Sequence, residues 1–362
     1  MSHPFDRSPA AGARPAFASR ATRRSGARAA APRGERPRAE PPARASLAAA
    51  PVPATGVVPP TPPFFVVGAQ RSGTTMLRLM LNAHPRLCVP FESRFIPDLA
   101  RRAAEFGDLR EEAPLRHLLQ AIAAEPFVLK GRLLPDPEAV VAAVQRRASQ
   151  SGLAPGVAGV IDAMFGHLAA LAGKARWGDK TPSYVTEMGT LWQLFPGCRF
   201  VHLVRDGRDV ALSLAGLSWG SRDLVRNAQD WRWKVTLGRR MGEMIPGHYL
   251  EVRYEGLVAE PAAELTRICA FLGEPFSEAM LDYPATAAEQ MPAQSMVWHR
   301  NSVRAPDADK RAMWKARMGS ADQRVFDEVA GTTLEAFGYE RSGARATLGT
   351  WLRSVGRAWG WR

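Results

Sequence analysis

FFVVGAQRSGTTMLRLMLNAHP, residues 64–85, decides how the rest of this chain is read. Four apolar residues, Phe64 to Val67, meet a turn at Gly68, and an apolar-periodic stretch over Thr74–Ala83 follows. That pattern is a buried strand, a tight turn and a helix. Gly68 and Gly73 have the spacing of the phosphate-cradling loop GxxxxGK[ST], and Thr75 stands at its Ser/Thr position. The lysine position, however, holds Thr74. A triphosphate therefore loses a main contact. The amides of Ser72, Gly73, Thr74 and Thr75 at a helix N-terminus still suit a smaller anion, because fixed N–H donors and the helix dipole act together there. Arg71 adds a permanent charge on a planar fork of donors.

A second stretch repeats the device. CRFVHLVRDGRDVALSLAG, residues 198–216, places Arg205 at a strand end and Ser213 about two turns into the next helix. Arg205 can make charge-assisted bonds to a second phosphate. The same residues also read as an ordinary turn, with an arginine paired to Asp206 or Asp209 and Arg208 in solvent. Two such loops in one chain suit a ligand with phosphates at two separated points.

Around these loops the 362 residues carry a formal charge of +13 and 46% hydrophobic content, enough for one large core or two small ones. No apolar run approaches a membrane span. Cys88, Cys198 and Cys269 show neither a disulfide framework nor metal-ligand spacing, so no metal is expected and a reducing cytoplasm fits. Residues 1–62 hold ten arginines, no lysine and three acids among Ala, Pro and Ser. Such a tail cannot bury enough surface to offset its ordering entropy, and it is read as disordered and solvated, with no nucleic acid expected as partner.

The fold expected is α/β: a P-loop-type three-layer arrangement with a mainly parallel central sheet and helical insertions. Strands are expected at Phe64–Val67, Phe200–Val204 and Tyr249–Tyr254. Helices are expected at Thr74–Ala83, Leu115–Ala124, Pro137–Ala148, Val157–Ala172, Asp209–Leu217, Pro261–Leu272 and Ala321–Phe337. The folded domain runs over 63–340. Over 341–362 a basic tail follows, in which Leu348, Leu352, Val355 and Trp359 share one helical stripe. A helix of that kind can lie on a membrane surface, making the protein peripheral to it. The same tail also reads as one that packs on the domain or frays.

At this point the residues match a known family. GAQRSGTTMLRLMLNAHP resembles the 5′-phosphosulfate-binding loop of sulfotransferases, and FVHLVRDGRDVALS resembles their 3′-phosphate-binding motif. PFESRFIPDLA (90–100), GDKTPSYV (178–185), VRYEGLV (252–258) and SVRAP (302–306) with Trp314 are similar to bacterial sulfotransferases and to the protein-tyrosine sulfotransferases. The resemblance spans roughly 63–340. It implies 3′-phosphoadenosine 5′-phosphosulfate (PAPS) as donor, 3′-phosphoadenosine 5′-phosphate (PAP) as product, and a hydroxyl or amine acceptor on a small molecule, glycan, lipid or peptide. PAPS has no β- or γ-phosphate, so the missing lysine has nothing to reach.

Roles follow from the resemblance residue by residue. Arg71, Ser72, Gly73, Thr74 and Thr75 would grip the 5′-phosphosulfate. Arg205 and Ser213 would bind the 3′-phosphate, with Tyr254 lining the nucleotide site and Arg304 approaching from the C-terminal segment. Glu92 matches the general base, Arg94 a substrate-orienting arginine, and Lys180 the cation that assists the leaving group. The chain departs from the secreted protein-tyrosine enzymes, because the segment before Lys180 offers Trp177 and Gly178 rather than a cysteine to pair with Cys88. A P-loop kinase using ATP, and a non-catalytic nucleotide-binding protein of the same fold, are the competing readings. Thr74 and the Arg205/Ser213 pair speak against the first, and the presence of Glu92 and Lys180 against the second.

Overall fold

The computed structural model describes residues 62–343 apart from 153–154 and 293–294. The expectations for the N-terminal tail and for a helix after 343 lie outside those residues. Five strands form one parallel sheet: β1 (Phe64–Val67), β2 (Leu87–Cys88), β3 (Arg176–Lys180), β4 (Arg199–Val204) and β5 (Tyr249–Arg253). Their order is β2-β3-β1-β4-β5.

β1 is central because it is apolar at every position. Phe65 and Val67 enter one core and Phe64 and Val66 the other, all fully buried. That is how a strand reads when helices cover both faces of a parallel sheet. The first core lies under the helices Glu112–Ala123, Pro137–Ser151 and Val157–Leu171. The second lies under Thr74–Ala83 and Pro261–Leu272. Residues 85–180 build the sheet on one side of β1 and residues 199–253 build it on the other. The order therefore reverses at β1, and the crevice beyond the carboxyl ends opens there.

Two strands and one long helix escape the apolar pattern. β2 is only two residues long. β3 reads RWGDK, mostly polar or charged, yet all five residues are buried. The helix Leu224–Glu243 buries Asn227, Ala228, Gly238 and Gly242 along with Trp231 and Val235, so its inner face lacks the expected stripe of large apolar residues. It is started by Asp223, whose side chain accepts from the Arg226 amide at 3.0 Å. The expected helix over Asp209–Leu217 starts earlier, at Gly207–Ala215, because Asp206 caps it. Cys88, Cys198 and Cys269 are buried free thiols. Among the described residues no helix is long and apolar enough to cross a membrane.

Candidate functional site

Every strand delivers a residue expected in the site at or just beyond its carboxyl end. The loop after β1 holds Arg71 to Gly73, the segment after β2 holds Glu92, and Lys180 ends β3. Arg205 follows β4 and Tyr254 follows β5. Parallel pairing brings these ends to one edge, around a cavity of about 290 Å³. Arg71, Gly73, Thr74, Thr75, Glu92, Arg94, Arg205, Ser213 and Tyr254, expected from the sequence, line it. Ser72 and Lys180 lie buried directly beneath.

The first loop is held open by backbone geometry. Gly68 donates its N–H to the Pro182 carbonyl at 3.1 Å. Gly73 has φ 93° and begins the helix, and a Cβ there would sit 2.5 Å from the Tyr254 ring. Both the left-handed backbone and the close approach call for glycine. Arg71 also has a left-handed φ, 71°. The Ser72 hydroxyl is buried with no hydrogen-bond partner among the described residues, a vacancy in the protein's own network that an anion's oxygen would fill.

Arg71 crosses the cavity. Its Nε donates to Ser213 Oγ at 3.0 Å and its Nη2 to the Trp298 carbonyl at 3.1 Å. Arg205 donates to the carbonyls of Arg71 (3.3 Å) and Lys310 (3.0 Å) and lies 4.4 Å from the Tyr254 ring centroid. Burial and the neighbouring Arg205 lower the Arg71 guanidinium from its usual value. The Asp209 carboxylate is the acid near them, 3.8 Å from Arg205, with one oxygen spent on the Trp314 amide at 2.8 Å.

The turn RDGRD divides its two arginines. Arg208 is not in solvent. It is fully buried, bonded to both Asp206 oxygens at 3.0 and 2.7 Å and stacked 3.5 Å from the Trp314 ring centroid. Arg208 thus takes the local partner that the bland reading gave to the turn, and Arg205 is left facing the cavity.

A buried ionic cluster forms the floor. Glu92 accepts from Lys180 Nζ at 2.6 Å through one oxygen and from Arg94 Nε at 2.9 Å through the other. Lys180 Nζ also reaches Thr75 Oγ1 at 3.3 Å. Burial alone would raise the Glu92 carboxyl, but Lys180 and Arg94 overturn that and hold it at about 2. Burial lowers the Lys180 ammonium in spite of Glu92. Next to it, Asp179 is fully buried and pushed up to about 6 by burial. Its oxygens meet no hydrogen-bond partner in good geometry, although Ser93 and Thr181 stand close enough to favour its charged form.

Arg304 is not brought to this cavity. It is exposed, and its carbonyl accepts from Tyr283 Oη. The C-terminal segment instead presents His299, Asn301, Ser302, Lys310 and Arg317. Ser302 opens the SVRAP motif, and the others have no local sequence signal beyond lying near it. Trp219 lines the mouth edge-on to Trp298 (ring centroids 6.4 Å apart), whereas Trp231 is core and Trp233 is half-exposed. His84 and His202 are buried structural histidines, bonded to the Pro275 carbonyl at 2.9 Å and to Tyr249 Oη at 2.8 Å.

A sequence model of the sulfotransferase family matches residues 62–278. Nodulation protein NoeE of Sinorhizobium fredii is 26% identical over 303 residues, which cover 77% of this chain and 66% of that protein. Protein-tyrosine sulfotransferase A of Caenorhabditis elegans is 25% identical over 289 residues, covering 77% and 68%. The chain thus spans about two thirds of the length of these relatives. Among solved structures, the sulfotransferase domain of the Synechococcus PCC 7002 olefin synthase matches with a TM-score of 0.53 at 26% identity, over 78% of this chain and 97% of that domain.

Proposed function

The chain belongs to the sulfotransferase family, and from that premise we propose that it transfers a sulfuryl group from PAPS to a hydroxyl or amine of an acceptor. The observation that supports this donor is the pairing of two separated anion sites in one cavity. Thr74 and Thr75 stand at a helix N-terminus on one side, and Arg205 with Ser213 on the other, bridged by Arg71. A nucleotide phosphorylated at both its 5′ and 3′ positions meets both. The orphaned Ser72 hydroxyl and the Arg205 Nε, also without a partner among the described residues, are donors suited to its phosphates.

In this reading Arg71 to Thr75 hold the 5′-phosphosulfate, and Tyr254 supports Arg205. Lys310 and Arg317, which line the cavity, would take the part expected of Arg304, as the cations of the C-terminal segment. Sulfuryl transfer, like phosphoryl transfer, is in-line, with negative charge growing on the leaving oxygen. Lys180 and Arg71 are the preorganised cations for that charge, and the buried setting of Lys180 strengthens its effect. The acceptor must also lose a proton. Two groups in the cavity can take it: Glu92, which the resemblance implies, and His299, which no sequence motif marked. Arg94, over the Phe127 ring at 4.2 Å, would orient the acceptor near Trp219.

The test is calorimetric binding of PAP, ATP and 5′-AMP to the protein and to Arg205→Ala. PAP is expected to bind best, and Arg205→Ala to lose that preference. ATP binding as tight as PAP and indifferent to Arg205 would reject the donor assignment.

A further inference from the structure

Glu92 is poorly placed to take a proton. Both of its oxygens are engaged, by Lys180 at 2.6 Å and Arg94 at 2.9 Å, and a carboxyl held at about 2 is a feeble base. His299 is placed differently. It ends the short helix Met296–His299, half-buried, and lines the same cavity as Glu92, Arg71 and Thr75. Its ring makes no hydrogen bond to any described residue. The segment that carries it is fixed to the donor loop, since the preceding residue, Trp298, gives its carbonyl to Arg71.

The groups that face His299 come from four elements: Lys180 from β3, Arg71 from the loop after β1, Arg78 from the first helix and Glu92 from the segment after β2. Three are cations and one is a carboxylate. Burial first, and then Lys180 and Arg71, lower the imidazole to about 4, so the ring is neutral and able to accept a proton at ordinary pH. The negative charges of a bound donor would offset those cations and raise it toward the working range.

We infer that His299 takes the proton of the acceptor, while Glu92 holds Lys180 and Arg94 in position. This rests on the sulfuryl-transfer reading above. As the acceptor oxygen or nitrogen bonds to sulfur, its proton passes to an imidazole nitrogen of His299. The bond between sulfur and the 5′-phosphate oxygen breaks, and its electron pair stays on that oxygen beside Lys180 and Arg71. The imidazolium then returns its proton to solvent.

The experiment uses labelled PAPS as donor and water as acceptor, reading release of inorganic sulfate against pH, with PAP binding measured in parallel. His299→Gln is expected to lower the rate about 10²–10³-fold while the Kd for PAP changes less than about threefold. It should also lose the acidic limb of the pH–rate profile, whereas Glu92→Gln keeps that limb. Added imidazole should restore part of the rate of His299→Ala. A His299→Gln rate within about threefold of the parent would overturn the assignment, as would a limb that vanishes in Glu92→Gln and survives in His299→Gln. If the parent protein binds PAP no better than ATP, the binding arm shows that the donor reading has failed, and both proposals fall together.

Discussion

Facing each other across the cavity are a wall of strand ends and a wall of short turns. The first wall carries Gly73, Thr75, Lys180, Arg205 and Tyr254, each at or next to the end of a β-strand or the start of a helix. The second is residues 295–317, made of the short helices Met296–His299, Ala308–Lys310 and Trp314–Arg317. The first wall helps to hold it. Arg71 donates to the Trp298 carbonyl, Arg205 to the Lys310 carbonyl, and Asp209 accepts from the Trp314 amide. The arginines proposed to hold the donor are thus the same ones that fix the opposite wall. Changes in the first wall should therefore disturb stability and chemistry together. Changes in the second should disturb binding and proton transfer alone.

The largest effect is expected from Lys180→Ala. It removes the fully buried cation proposed to meet the leaving oxygen, and turnover of labelled PAPS should fall about 10²–10³-fold. PAP binding should suffer much less, because that interaction strengthens as charge develops. Turnover within a few-fold of the parent would mean that Lys180 serves the fold only.

Glu92→Gln comes next. It leaves the Lys180 ammonium buried without its carboxylate, and removing one partner of a buried pair costs about 3–5 kcal/mol. A thermal melt should show that loss at neutral pH, where Glu92 is ionised. The sign follows from its depressed carboxyl. The pair's contribution is present above the usual carboxylate range and lost as pH falls through about 2. An unchanged melt would show that the floor is held by packing rather than charge.

What could be read in advance divides along the same line. The two glycine- and arginine-bearing loops were legible because strand, glycine and arginine lie within ten residues of each other, and local chemistry suffices. The joining of Glu92 to Lys180, 88 residues apart, is a product of topology. It depends on β2 lying beside β3, and these are the strands too short or too polar to show an apolar run. Arg208 looked like a surface charge since nothing local announces Trp314, more than a hundred residues away, as its cover. The second wall was the least legible. Its residues face the cavity from helices of three or four residues, too short to show a periodic pattern, which is why Arg304 was expected there and His299, Lys310 and Arg317 were not.

Asp179→Asn sharpens the contrast inside the first wall. The parent carboxyl is raised to about 6, so its contribution to stability is fully present below its unfolded value and lost as pH rises through 6. The amide carries no charge to bury. Asp179→Asn should therefore be more stable than the parent at pH 8, by about 3 kcal/mol, with the gain disappearing near pH 4. His202, lowered to about 4 by burial, works in the opposite direction but is common to both proteins. A variant less stable at pH 8 would mean that the charged Asp179 is an earning member of the Lys180 cluster.

The smallest effect, from Lys310→Ala, tests the second wall. Lys310 lines the cavity, and its side chain meets Asp307 at 3.6 Å, with both partners partly exposed. An exposed pair of that kind contributes about 0–1 kcal/mol, so the melt should not move. The backbone carbonyl that receives Arg205 is kept by alanine, so the wall should stay in place. What is lost is one cation near a phosphorylated ligand, and PAP affinity should fall about 3–10-fold, less so at high salt, where exposed charges are screened. A lowered melt with PAP affinity intact would reverse the comparison. The second wall would then be part of the scaffold, and the donor would be held by the strand ends alone.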